Sequence, residues 1–191
     1  MSPVRDLYAR SGRTLLSPLG FDNTFAMLVR GADARARGLR SIDDAAREAP
    51  GWRAAFGYEF LDRPDGYAGL ARTYGMRLAA PPTSMDLSLT YRALASGQVD
   101  LIAGDATSGL FRALDLVALE DTRGYIPPYD AVPVARSETL LRHPAMRRAV
   151  EGLAGRITAA HMREMNYRVE ALRQTPADVA RKFLTGEIHA R

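Results

Sequence analysis

Gly20-Phe21-Asp22-Asn23-Thr24-Phe25-Ala26-Met27-Leu28-Val29-Arg30 decides how the rest of the chain is read. Aromatic, β-branched and long apolar side chains follow one another with no internal Gly or Pro, which predicts a buried strand. Gly20 and Gly31 bound it as loop punctuation. The Asp22-Asn23-Thr24 triplet breaks the apolar run with three side chains able to hydrogen-bond backbone or ligand. On pattern alone it is equally a polar bulge in a core strand.

Outward from that strand the chain alternates. Pro3 to Arg10 predicts a short helix and Leu15-Leu16 a brief strand. Ala32 to Arg40 reads as polar loop or frayed helix. Ser41 with an acid three residues later starts a helix reaching about Glu48. Trp52 to Tyr58 is a strand, Glu59 to Gly66 a loop, and Tyr67, Leu70 and Tyr74 mark a helix closed by Gly75. A short strand near Arg77-Leu78 precedes a helix carrying Leu87, Tyr91 and Leu94. Val99 to Ala103 and Leu116 to Leu119 are further strands, separated by the small-residue loop Gly104 to Gly109. This alternation predicts an α/β sandwich on a largely parallel sheet.

The last third differs. Tyr125-Ile126-Pro127-Pro128-Tyr129 is stiff and extended, because each proline restricts itself and its predecessor. Ala131 to Ala135 is a last strand. Helices then start at Pro144, Thr158 and Thr175, the third with an N-cap, a proline at N1 and an acid at N3. Met162 and Met165 read as core rather than as a ligand surface.

Composition excludes several classes. The 191 residues contain no cysteine, which removes disulfides, thiolate metal sites and cysteine nucleophiles. No apolar run is long enough to span a bilayer. The first residues show no basic region followed by an apolar one, so no signal peptide is expected within these residues. The net charge of +4 is spread, with acids interleaved, so a solvated surface is expected and not a nucleic-acid face. Of the 26 lysine and arginine side chains only Lys182 is lysine. His143, His161 and His189 have no partner at metal spacing and read as surface or capping residues, so no metal and no cofactor is expected. Nucleophile-elbow, Walker and dinucleotide glycine patterns are absent. The polar residues that stand out follow strands: Arg63, Asp65, Asp105, Thr107 and Ser108, with Tyr129 in the proline-rich segment. Ligands of open α/β sheets bind beyond the carboxyl ends of strands.

Four stretches together carry a resemblance. Gly20 to Ala26, Phe60-Leu61-Asp62-Arg63-Pro64-Asp65-Gly66, Ile126-Pro127-Pro128-Tyr129 and Met165-Asn166-Tyr167-Arg168-Val169 resemble successive motifs of the substrate-binding proteins of osmoprotectant ABC importers. That group captures glycine betaine, choline or carnitine. The resemblance implies a type II periplasmic-binding-protein fold, with two α/β lobes joined by crossover strands and closing on ligand. Residues 24–129 would form the second lobe, and residues 1–23 and 130–191 a first lobe that is incomplete. The organising strand becomes one crossover and the proline-rich segment the return. An incomplete lobe would expose sheet edge and apolar surface, so self-association or partial disorder of that lobe is expected, with a non-monomeric state in solution.

The resemblance also implies a site. Arg63 matches a clamp for a ligand carboxylate, and Tyr129 one ring of an aromatic cage for a quaternary ammonium. Phe25 stands where family members usually have tyrosine, keeping a ring face without its hydroxyl. Asp105 falls where another cage tyrosine is expected, in a loop written here Asp105-Ala106-Thr107-Ser108-Gly109. An aspartate there attracts a cation or pairs with Arg63. The ligand-binding set is therefore Arg63, Tyr129, Phe25, Asp105, Thr107, Asn23 and Thr24. The partners implied are a small quaternary amine and an ABC permease, in a periplasmic or extracytoplasmic location, and no catalysis is expected. Two readings remain beside it: a truncated or ligandless derivative serving as an interaction domain, and a regulator or enzyme on the same fold. An enzyme would have only Asp105 and Asp65 to use.

Overall fold

The structure is a computed structural model describing residues 3–189. At its centre is the organising strand, here β2, Phe25–Arg30. Met27, Leu28 and Val29 have no exposed surface, because both faces of the strand are covered. Met27 and Val29 point into a layer with Phe56, Phe60, Leu70 and Leu101. Ala26 and Leu28 point to the other face, among Tyr91, Leu94 and Ile102. A strand buried on two sides reads as an unbroken apolar run rather than an alternating one.

Flanking strands β3 (Ala54–Phe56), β4 (Thr83–Ser84), β5 (Leu101–Asp105) and β6 (Leu116–Ala118) complete a five-stranded sheet of order β4-β3-β5-β2-β6. β3 is parallel to both β4 and β5, whereas β2 is antiparallel to β5 and β6. The expectation of a largely parallel sheet therefore holds for every strand but β2. The others are each delivered by a helical crossover, whereas β2 enters from the opposite end of the molecule. Its reversal puts Phe25, at its N-terminal end, directly opposite Asp105, at the C-terminal end of β5.

Helices cover both faces. On one lie α2 (Gly31–Arg37), α3 (Ile42–Glu48), α4 (Tyr58–Asp62) and α5 (Tyr67–Tyr74). On the other lie α6 (Leu87–Ala95) and α7 (Leu110–Ala113). The start of α3 is the expected one: the Ser41 hydroxyl accepts from the Asp44 N–H while the Asp44 carboxylate accepts from the Ser41 N–H. The Arg40 and Ser41 N–H groups hold the Asp44 carboxyl down to about 2. Ser41→Ala should cost about 1 kcal/mol in chemical denaturation, the usual worth of such a cap. An unchanged midpoint would show that α3 is held by its packing alone.

Three expectations are corrected. Glu59 to Gly66 is not all loop, because Tyr58–Asp62 is helical. Its N-cap, Gly57, offers no side-chain bond, and the turn is held by burial of Phe60 against Phe25 and Phe56, at centroid distances of 5.0 and 5.3 Å. Arg77-Leu78 is not a strand; Ala79 N–H bonds Trp52 C=O, and the pairing with β3 comes later, at Thr83–Ser84. The last strand lies at Val134–Arg136 (β7), beyond most of Ala131 to Ala135, and runs into a helix not foreseen, α8 (Ser137–Arg142).

The remaining elements form a second unit. β1 (Arg13–Leu15) pairs antiparallel with β7 and packs with α1 (Pro3–Arg10), α8 packs with β7 and with α9 (Pro144–Glu151), and α10 (Ala159–Glu170) packs with α11 (Pro176–Leu184) and with α7. Met165 is buried with Ile157, Val179 and Ile188, and Met162 packs against them, the core role expected for both. Leu19 and Phe21 join that cluster. Between them Gly20 has φ +111 and lies so close to Gly155 that a Cβ would come within 2.9 Å of its backbone; only glycine fits there.

Two strands of chain connect the units. Leu16 and Leu19 N–H bond Pro133 and Ala131 C=O, Ala131 N–H bonds Phe21 C=O, and Asn23 N–H bonds Tyr129 C=O. Asp22 and Asp130 form an antiparallel bridge. The organising stretch and the proline-rich stretch thus run side by side, and the cleft opens where they enter the large sheet.

Candidate functional site

The reversed β2 brings Asn23, Thr24 and Phe25 to the edge where β3 and β5 end. Six of the seven residues expected at a site, Asn23, Thr24, Phe25, Arg63, Asp105 and Tyr129, line one cavity of 190 Å³ there. Thr107 lines the adjoining 460 Å³ recess, which Asn23 and Asp105 share. Its hydroxyl donates to the Asn23 side-chain oxygen, so it positions Asn23 rather than facing the smaller cavity. Thr24 is likewise occupied, donating to Pro127 C=O at 2.7 Å.

Two residues of the cavity were not anticipated. Leu87 comes from the first turn of α6, and Glu59 from α4, whose helical turn residue order does not announce. A short apolar recess of 220 Å³, lined by Phe25, Phe60, Leu87 and Ala103 among others, opens beside them.

Arg63 follows α4 directly. Its Nε and Nη2 donate to the two oxygens of Asp65, at 2.8 and 2.7 Å, and Nη2 also donates to the Tyr129 hydroxyl. The guanidinium lies 5.4 Å from the Tyr129 ring centroid. Asp65 holds the guanidinium charge tightly, and Arg63 in turn keeps the Asp65 carboxyl below the usual carboxylate range. A guanidinium forks onto a carboxylate through two parallel N–H bonds from different nitrogens. That fork is engaged by Asp65, which leaves Nη1.

Asp105 does not pair with Arg63, the alternative suggested by its place in the sequence. Its N–H donates to the Tyr91 hydroxyl at 2.9 Å, and Tyr91 is buried. Burial pushes the Asp105 carboxyl upward, and the charge of Glu59 adds to this. Because Phe25 and Asp105 are directly opposed on neighbouring strands, ring and carboxylate lie on the same face of the sheet.

The far wall of the cleft is α10. Asn166 Nδ2 donates to Thr107 C=O at 2.8 Å, and Arg163 Nη1 to Ala106 C=O at 3.1 Å. Arg112 pairs with Glu164 at 2.9 Å, and Arg168 binds the same carboxylate. Gly109 sits against the α10 backbone, where a Cβ would come 2.2 Å from Tyr167 N. The stretch Met165 to Val169 therefore acts by holding the loop after β5, with Asn166 the residue whose role the sequence did not show. Among the described residues no group of three or more potential metal ligands occurs, and no helix is long and apolar enough to cross a membrane.

Two α/β units, two adjacent crossover segments and a cleft at their junction define a type II periplasmic-binding-protein fold. A crystal structure of a glycine betaine/carnitine/choline ABC transporter component superposes with a TM-score of 0.83 at 30% identity, over 97% of this chain and 71% of that one. A glycine-betaine-binding protein of Pseudomonas aeruginosa is 35% identical over 95% of the chain and 61% of its own length. A carnitine transport binding protein of Listeria monocytogenes is 29% identical over 92% of the chain and 57% of its own length. The chain thus spans less than two thirds of either curated relative. The family described as the substrate binding domain of ABC-type glycine betaine transport systems matches residues 2–186, and the chain belongs to it.

Proposed function

We propose that this chain is the solute-binding component of an ABC importer for a quaternary-ammonium or related compatible solute of the betaine, choline or carnitine type. One observation carries the reading: the rings of Phe25 and Tyr129 and the carboxylate of Asp105 line the same cavity. A methylated ammonium has no N–H to donate, so it is held by ring faces and by charge rather than by directed hydrogen bonds. Asn23, Thr24 and Thr107 set the shape of the entrance, and Arg63 orients Tyr129. In this reading residues 24–129 form one lobe, and residues 1–23 with 130–191 contribute to the other. The protein works outside the cytoplasmic membrane, where closed lobes present the solute to a permease.

Calorimetric titration of the 191-residue chain with choline, glycine betaine and carnitine tests this, with ammonium chloride as the control. Saturable one-to-one binding of at least one methylated solute, and none of ammonium, is expected. Silence toward all three would leave the chain as a ligandless member of its family and overturn the proposal.

A further inference from the structure

The reading of the cleft as a quaternary-ammonium site leaves open which members of that class it takes, and the polar geometry bears on this. We infer that Asp105, set opposite Phe25 at the mouth of the sheet, selects net cations without a carboxylate, choline in type, over zwitterionic betaines. The inference rests on the proposed function and narrows it.

Three features support it. First, the Asp105 carboxylate has neither a hydrogen bond nor an ion pair among the described residues, although it is half-buried. Its backbone N–H donates to the Tyr91 hydroxyl, which fixes where along the cleft the carboxylate starts. A half-buried carboxylate without a partner gains most from a cation that arrives beside it.

Second, the one cation of the cavity is already spoken for. Both N–H bonds of Arg63 Nη2 are used, one toward Asp65 and one toward Tyr129, and Nε is used by Asp65. Nη1 offers a single-nitrogen contact, which lacks the fork that makes arginine selective for carboxylates.

Third, the charges facing Asp105 are of its own sign. Glu59 comes from α4, Asp86 precedes α6, and Glu170 reaches over from α10. Arg63 is the basic group among the residues lining these cavities, and Asp65 neutralises it; Arg163 lies against Ala106 C=O and lines neither. The net negative charge of this cleft repels a ligand carboxylate, whereas the uncharged hydroxyl of choline is not repelled.

The test is paired titration of choline and glycine betaine into the parent, Asp105→Asn and Asp65→Asn chains. The parent should favour choline by about ten-fold or more, on the order of one close charge contact. Asp105→Asn should close that gap by weakening choline. Asp65→Asn, which frees the Arg63 fork, should improve betaine. The parent alone supplies a further readout. Choline binds the ionised carboxylate, and burial raises the Asp105 carboxyl, so choline affinity should fall as the pH drops through that raised value. The fall should be absent in Asp105→Asn. Betaine binding the parent as tightly as choline, or a choline-to-betaine ratio unmoved in Asp105→Asn, would overturn the selectivity while leaving quaternary-ammonium binding intact. Binding of neither solute to the parent would instead remove the proposed function, and this inference with it.

Discussion

Tyr129→Ala is expected to weaken binding of a methylated cation by tens-fold, with little change in fold stability. The ring is 39% exposed, but its backbone is fixed before any ligand arrives. Pro127 and Pro128 restrict the approach, Tyr129 N–H donates to Asp22 Oδ1 at 2.8 Å, and Tyr129 C=O accepts from Asn23 N–H at 3.1 Å. A pre-ordered ring loses little entropy on binding, so most of the contact energy appears as affinity. A desolvated ring–cation contact is worth about 2 kcal/mol, which is roughly 30-fold. Tyr129→Phe keeps the ring and releases one Arg63 N–H, and should stay within a few-fold of the parent. Titration calorimetry separates the two variants. Equal affinities for the alanine variant and the parent would mean that no ring at this position touches the cation.

The other large effect is on stability, at Arg30, the last residue of β2. Its guanidinium pairs with Asp33, bonds Asp100 Oδ1 at 2.8 Å, and donates to Leu94 C=O at 3.0 Å and to Val99 C=O. The Arg30 and Asp100 side chains are only 22% and 18% exposed. Burial penalises the Asp100 charge, but the Arg53 N–H and Arg30 outweigh it and hold the carboxyl below its ordinary value. That contribution is complete above the unfolded carboxylate range and is lost as pH falls through the depressed folded value. Arg30→Ala leaves Asp100 only its Arg53 contacts, leaves Val99 C=O without a donor, and removes the pairing with Asp33, a combined change that costs about 3 kcal/mol or more. For a chain of this length that is roughly 6–12 °C in Tm. Arg30→Lys should recover less than half, since one ammonium cannot span acceptors this far apart. A loss below about 1 kcal/mol would show that solvent already screens the network.

Local signals carried the elements that the sequence placed well. Ser41 with Asp44, Thr158 with His161 and Thr175 with Asp178 each write a cap into adjacent residues. Local signals failed where burial at a distance decides the conformation. Tyr58–Asp62 is helical because Phe60 packs on rings from β2 and β3, and nothing within those five residues announces it. The direction of β2 was unreadable for a similar reason: an apolar run carries no mark of which neighbours it will oppose.

The site divides in the same way. Phe25, Arg63, Asp105 and Tyr129 stood out through motif and position, and folding brings them to one cavity. Glu59 and Leu87 entered it through helices that had to form first. The commitment of Arg63 to Asp65 rests on side-chain geometry across Pro64, which residue order alone leaves open. In the proposed reading, that pairing makes the arginine an anchor for Tyr129 rather than the clamp on a ligand carboxylate that the resemblance implies.

A crystal structure of the chain grown with choline tests the central claim most directly. The trimethylammonium group should lie within about 6 Å of the Tyr129 and Phe25 ring centroids, the range of a ring–cation contact, and beside the Asp105 carboxylate. Choline seated elsewhere, for example in the recess between α7 and α10 under Arg112 and Tyr167, with the Phe25–Tyr129 cavity empty, would contradict it.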